Sequence, residues 1–447
     1  MKCLMKKIPD EADVIIIGGG FTGLSAAFEL SHRGQKVVVI EKDNEVGGLA
    51  GSFFVGTERV EKYYHHWFTS DKYIIDLVKE LDVEKNILFR KTETGLYFEK
   101  NIFRLSSPFD VLCFSPLGIF DRLRLGFMVL RARFYKNINI LESRTAEDWL
   151  REIGGNKVYK VVWEPLLKGK FGTFASDISA VYFWNKLKLR GGSRAKGGAE
   201  MLAYFRGGFA ALTDTLTKSI ISHGGTVLKG ITVKGLEVAD KKVVGVYTSE
   251  GTFPCNAVIA TIALPLIAEL VQPHTSEEYT ASLRNIKYLA NVCLVLELSR
   301  NLSRTYWINV NDPDFPYIGI IEHTNFEPPE TYGGRHIVYL SKYLPESTDL
   351  FHMNDKQIFE FSLPYIQRMF PYFNQGWVSN YNVWRTRYAQ PIIVRNYSNL
   401  LPDSKTPLDG FYISSMAQIY PEDRGTNYAI REGRIIGEDV SNYLNGL

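Results

Sequence analysis

Asp13-Val-Ile-Ile-Ile17 is an unbroken β-branched run, and Gly18-Gly19-Gly20 follows it at once. Such a run reads as a strand buried on both faces. Phe21 to Arg33 reads as a helix, with Leu24, Ala27, Phe28 and Leu30 apolar and Gly34 as the stop. Lys36-Val-Val-Val-Ile40 is a second buried strand, closed by Glu41. Strand, glycine turn, helix and strand make a βαβ unit, which demands a parallel pair and so an α/β sheet.

Within the turn, Gly18-x-Gly20-x-x-Gly23 has the spacing of a dinucleotide-binding loop. Gly18 allows the tight turn, Gly20 lets the backbone approach a pyrophosphate, and Gly23 lets helix and strand pack closely. Phe21 and Thr22 lie inside the same loop. Glu41 stands 21 residues after Gly20, where a carboxylate accepts hydrogen bonds from an adenosine ribose and disfavours a 2′-phosphate. Lys42 follows it. A second cluster, Val46-Gly47-Gly48-Leu49-Ala50-Gly51, has its Gly47-Gly48 pair six residues after Glu41 and is placed to bring the chain back across the pyrophosphate.

The texture returns later. Gly207-Gly208 precedes a helix over about 209–222, and strands follow near 226–228, 233–238, 243–249 and 257–260, the third alternating as in an antiparallel meander. Residues 411–414 read as a late strand and 426–444 as a closing helix, with further helical patterns near 71–82 and 118–135.

Composition excludes several classes. The chain has 447 residues, 45% hydrophobic, so a large core is available without staples. A net charge of +3 excludes a general nucleic-acid binder. The four cysteines, Cys3, Cys113, Cys255 and Cys293, form no CxxC pair, which predicts neither a metal site nor a disulfide framework. No stretch reaches the length of a membrane span, and the lysine-bearing segment before Asp13 lacks a signal-peptide core. These readings predict a cytoplasmic protein, with peripheral attachment to the inner face of the membrane as the open alternative.

The glycine motifs, with Glu41 and Val46 to Ser52, resemble the N-terminal signature of the flavin amine oxidase superfamily. Arg206-Gly-Gly-Phe209, Gly224-Gly225 and Ile231 to Leu236 resemble its middle FAD-binding segment. Gly410 to Ser414 and Gly425 to Gly433 resemble its C-terminal one. Trp163-Glu-Pro-Leu-Leu-Lys-Gly-Lys-Phe-Gly172 is similar to protoporphyrinogen-oxidase-like and phytoene-desaturase-like proteins. Glu61 to Ile74 and Ser107-Pro-Phe109 resemble UDP-galactopyranose mutases.

The resemblance implies an α/β fold. A Rossmann-type FAD-binding domain of the amine oxidase or glutathione-reductase-like kind is built from 10–60, 205–265 and 385–447. It is interleaved with an α+β substrate domain from 61–204 and 266–384. It also implies FAD as cofactor. Gly18, Gly20, Phe21, Thr22, Gly23, Glu41, Lys42, Gly48, Leu49 and Ala50 are its N-terminal contacts. Val233 would hold the adenine by its backbone, and Thr426, Asn427 and Tyr428 would turn a helix N-terminus toward the flavin pyrimidine. Where the superfamily has Gly-Asp, this chain has Ser415-Met416, so those two residues must replace the usual aspartate contact.

His66 matches the histidine beside the flavin in the mutases. It is read either as a proton relay or as a packed histidine bonded to backbone. Arg385, Arg387 and Arg395 offer guanidinium forks for an anionic substrate, the pyrophosphate or solvent, and Arg387 is taken as the catalytic candidate. Asp423 and Arg424 are read as a structural ion pair or as facing the flavin.

Residues 109–134 mix large apolar residues with Arg122, Arg124, Arg131 and Arg133. They fit either a segment lying on an anionic membrane or a helix with its apolar side in the core. The functional expectation is an FAD-dependent oxidoreductase moving a hydride from a small-molecule substrate to flavin N5, on a lipid-like or nucleotide-sugar substrate. The alternatives are a redox-neutral nucleotide-sugar mutase and a non-catalytic FAD-binding protein.

Overall fold

The computed structural model describes residues 11–135, 137–192 and 200–446. Cys3, the lysines before Asp13 and the Arg133 side chain lie outside the described residues.

The β-branched runs form the centre of a seven-stranded sheet. Thr226–Lys229, Val37–Glu41, Ala12–Ile17 and the second half of Gly251–Ala260 run parallel, in that order. Ile15 sits opposite both Val38 and Val258, and all three are buried. Phe411–Ile413 adds a further parallel strand beside Val258, Ile259 and Ala260. The first half of Gly251–Ala260 leaves the parallel layer and pairs antiparallel with Lys242–Thr248, which pairs with the edge strand Val233–Ala239. This is the meander expected from the alternating sequence.

The helix Phe21–His32 follows the glycine turn, and the closing helix Thr426–Asn445 packs along it. Small residues permit the contact. A methyl group on Gly433 would stand 2.3 Å from the Thr22 carbonyl oxygen, and one on Gly437 would stand 3.0 Å from that of Ala26.

A second seven-stranded sheet runs Val378–Pro391, Tyr288–Leu298, His336–Leu344, Gly319–Glu322, Trp307–Val310, Thr94–Phe98, Asn101–Arg104. It is antiparallel except where Trp307–Val310 runs parallel to Thr94–Phe98. The strand Val378–Pro391 crosses position 385 without interruption and stays paired with Tyr288–Leu298 on both sides of it.

Buried Glu61 ties the second half of the molecule to the first. Its carboxylate accepts the Phe209 backbone N–H and the Tyr204 hydroxyl, each at 2.7 Å, and Tyr339 donates to its carbonyl. The carboxylate thereby satisfies a donor of the Gly208–Ser222 helix N-terminus.

The helix Ile119–Phe134 is apolar on two sides. Leu125, Met128 and Ala132 are buried, and the helix packs on Ala146–Val158 and Ala180–Gly192. Ile119, Phe120, Leu123, Phe127, Leu130 and Phe134 are exposed, Phe120 and Phe134 at 77%. No helix among the described residues is long and apolar enough to cross a membrane.

Candidate functional site

The two glycine clusters meet. The Gly47 N–H donates to the Gly19 carbonyl at 2.8 Å, and Gly20 bridges Gly47 in parallel. Gly18 (φ +109°) and Gly47 (φ +120°) occupy backbone that side-chain residues rarely adopt. A methyl on Gly23 would lie 2.0 Å from the Gly18 carbonyl oxygen, so Gly23 sets the approach of helix to turn. At Gly20 a methyl would meet nothing closer than the Gly48 Cα at 3.9 Å, leaving a bare backbone cradle at the start of the helix. Phe21 and Thr22 are buried beyond it.

Buried Glu41 accepts the Gly19 N–H through Oε2 at 2.7 Å and the Asp43 N–H through Oε1 at 2.9 Å. A carboxylate retains further lone pairs beyond these two bonds, so ribose hydroxyls fit there. The backbone N–H groups of Gly230 and Ile231 donate to the Asp43 and Glu41 carbonyls, two residues before Val233 starts the sheet's edge strand. Lys42 is exposed. Ser415 is buried with its N–H donated to Gln418 Oε1 at 2.7 Å, and Met416 opens a short 3-10 turn. The turn, cradle, carboxylate and edge strand together fit an FAD.

Leu49 and Gly425 to Tyr428 border a cavity of about 360 Å³. The closing helix carries no side-chain cap at its N-terminus, and Asn427 Oδ1 accepts the Ile74 N–H at 3.2 Å. The N-terminal end of the closing helix therefore borders the cavity, where the helix dipole favours anionic character. Much of the remaining wall is aromatic, including Tyr63, Tyr64, Phe68, Trp163, Phe171, Tyr182, Phe183, Tyr306, Trp307 and Tyr343.

Both histidines of the aromatic stretch line the cavity but are held differently. His65 Nδ1 contacts the Tyr63 carbonyl at 2.6 Å, and burial lowers its pKa to about 4 despite that bond. His66 Nδ1 contacts the Tyr306 hydroxyl at 3.0 Å, with Phe68, Tyr306 and Trp307 set edge-on to its ring. His65 thus bonds to a backbone carbonyl and His66 to a side-chain hydroxyl.

The arginines sort differently from expectation. Arg387 is 65% exposed, ion-paired with Glu346 at 2.8 Å and outside the cavity lining. Arg385 pairs with Asp355, and Arg395 with Asp177. Arg424 is the arginine that reaches the cavity, donating to Gln390 Oε1 at 2.9 Å and the Tyr343 hydroxyl at 2.8 Å. Its neighbour Asp423 pairs instead with Lys186 at 2.5 Å. Lys170 also lines the cavity and had no place in the sequence reading, although it lies in the quoted stretch 163–172. Among the described residues no group of histidine, cysteine and carboxylate side chains is arranged to hold a metal.

Known proteins give the same picture. The structure is similar to that of a putative protoporphyrinogen oxidase from Exiguobacterium sp. 255-15, with a TM-score of 0.76, 13% identity and coverage of 97% of this chain and 99% of that one. It is similar to reduced UDP-galactopyranose mutase, with a TM-score of 0.73, 14% identity and coverage of 97% and 96%. In sequence, 107 residues are 31% identical to an L-amino-acid oxidase of Echis ocellatus, covering 22% of this chain and 20% of that protein. Residues 21–436 match the flavin containing amine oxidoreductases. The chain belongs to that family.

Proposed function

We propose that the protein oxidises a small-molecule substrate held in the aromatic cavity. The observation that carries this reading is the cavity itself, which joins the flavin-facing helix N-terminus at Gly425 to Tyr428 and Leu49 to walls of Tyr, Trp and Phe. FAD, when bound, supplies a hydride acceptor at N5. The chain supplies position, dryness and proton handling. Its aromatic walls exclude water and hold an apolar body in place. His66, oriented through Nδ1 by Tyr306, exchanges a proton with the substrate at its imidazole. Gly18, Gly20, Gly23, Glu41, Val233, Ser415, Met416 and the Thr426 to Tyr428 backbone are assigned to the cofactor, within a domain drawn from three pieces of chain.

The test is anaerobic. The purified protein is expected to be yellow and to bleach on adding its substrate, in a screen of amines, carotenoid-like lipids, porphyrinogens and nucleotide sugars. A colourless protein that cannot be reconstituted with FAD overturns the reading. Turnover of a nucleotide sugar with reduced flavin and no consumption of reductant assigns the cavity to the redox-neutral alternative.

We also propose that the exposed side of Ile119–Phe134 rests on an anionic lipid surface. Phe120, Leu123, Phe127, Leu130 and Phe134 recur every three or four residues and so form one stripe at about 3.6 residues per turn. Arg124 and Arg131 flank it on one side and Arg122 on the other. Apolar insertion between cations is the chemistry of an interfacial helix.

A further inference from the structure

The cavity's charge is divided unevenly along its wall. Lys170, Lys186, Asp423 and Arg424 form a cluster at one end. Lys186 has a carboxylate partner in Asp423. Lys170 and Arg424 do not: among the described residues, Lys170 Nζ donates to the Tyr182 hydroxyl at 2.5 Å, and Arg424 donates to Gln390 and Tyr343. Both cations are thus satisfied by neutral oxygens. Aromatic faces surround Lys170, with Tyr343 4.8 Å, Tyr182 5.1 Å and Phe171 5.6 Å from the ammonium.

Two half-buried basic groups that share the single carboxylate of Asp423 with Lys186 carry a desolvation cost that it offsets only in part. Burial first, and then the Lys186 charge, hold the Lys170 pKa well below the usual lysine range, with Arg424 acting in the same direction and Asp423 against it. Asp423 itself is lowered, because Lys186, Lys170 and Arg424 together outweigh its burial. The other cavity carboxylates, Asp71 and Glu200, are engaged elsewhere. Asp71 accepts the Phe68 N–H and Glu200 accepts the Thr94 hydroxyl, and neither acts on Lys170.

We infer that Lys170, Lys186 and Arg424 form an oxyanion subsite, which takes the carboxylate or phosphate of a substrate whose remaining body is aromatic or apolar. This rests on the cavity being the substrate site, and it gives that site a polarity opposite to one built for a cationic amine. A ligand oxyanion completes the counter-charge that Asp423 supplies to Lys170 and Arg424 only in part, and charge-assisted bonds to it form in a water-poor wall. The aromatic faces then pack against the rest of the molecule.

The test uses the FAD-loaded protein and its visible difference spectrum, titrated with benzoate, phenyl phosphate and benzylamine. Benzoate or phenyl phosphate is expected to bind at least about tenfold more tightly than benzylamine. Lys170→Met and Lys186→Met are each expected to weaken anion binding about tenfold, while Lys170→Arg retains it. Flavin content and thermal melting establish that each variant is folded and loaded.

The bound anion favours the charged form of Lys170, so benzoate affinity falls as pH rises, and Lys170→Met flattens that profile. The groups facing Lys170 in this profile are Lys186, Asp423, Arg424, Tyr182 and Tyr343. Benzylamine binding as tightly as benzoate overturns the inference. So does unchanged benzoate affinity in both methionine variants, including the case where they shift only the flavin potential. Each of these failures leaves a yellow, bleachable protein, whereas failure of the oxidoreductase reading does not.

Discussion

At Gly23 one hydrogen atom separates a working turn from a collision. An alanine methyl would sit 2.0 Å from the Gly18 carbonyl oxygen and 3.0 Å from Thr261 Oγ1. Thr261 cannot retreat freely, since its hydroxyl is bonded to the Ile17 and Gly18 carbonyls at 3.1 and 3.2 Å. Gly23→Ala must therefore push helix from turn, at a cost of about 3 kcal/mol. The helix start moves away from the cradle as it does so. The expected result is protein with little bound flavin and a lowered melting temperature. Full flavin content by absorbance would show that the close approach is not needed. This residue was legible because its spacing from Gly18 and Gly20 encodes a contact within six residues. Lys170 and Lys186 were not, and the grouping of Arg424 with them was not, because segments far apart in sequence bring them together and no local pattern records it. Arg387 misled for the converse reason: its sequence neighbourhood was right, but its place on the long strand Val378–Pro391 sends it to the surface.

At the scale of elements, the closing helix is positioned by what it lacks. Gly433 and Gly437 are one helical turn apart and face Thr22, Ser25, Ala26 and Glu29 of the first helix. Their absent side chains let the backbones touch, and that contact fixes where the Thr426 end meets the cavity. Gly433→Ala places a methyl 2.3 Å from the Thr22 carbonyl oxygen and 2.8 Å from Ser25 Cβ. The two helices must part, and a loss of about 2–3 kcal/mol is expected in denaturant unfolding, together with weaker flavin retention on dialysis. Equal stability and retention would mean that the helices have room to spare. The parallel strands and both helices were readable because buried β-branched runs and a helical period are local signals. The second sheet was not. Tyr288–Leu298 is buried along ten of its eleven residues, so it shows no alternation, and an apolar run without period fits strand and helix alike. The same applies to His336–Leu344, whose pairing partner lies some forty residues earlier in the chain.

For the whole molecule, the return of the chain to its first sheet at 226–260 and at 411–413 was legible from the glycine turn before 209 and the apolar runs that follow. The surface of the Ile119–Phe134 helix was not, because sequence pattern leaves open which of two apolar stripes faces inward. Leu125, Met128 and Ala132 claim the core, and the outward stripe of Phe120, Leu123, Phe127, Leu130 and Phe134 is exposed among the described residues. Phe109 and Leu112, just before this helix, are exposed as well and extend the apolar area. Exposed apolar residues in a contiguous patch mark a contact, and the one proposed above is an anionic lipid surface. The inner side of the same helix packs on Ala180–Gly192, which contributes Tyr182, Phe183 and Lys186 to the cavity wall. The exposed stripe therefore lies one helix away from the cavity. The protein is expected to sediment with vesicles of phosphatidylcholine and phosphatidylglycerol, less with phosphatidylcholine alone, and less as salt rises. Replacing Phe120, Phe127 and Phe134 together by serine removes apolar surface without touching the core, and should cut vesicle affinity at least about tenfold with melting temperature unchanged. If the wild-type protein stays in the supernatant with anionic vesicles at low salt, the stripe does not meet a membrane.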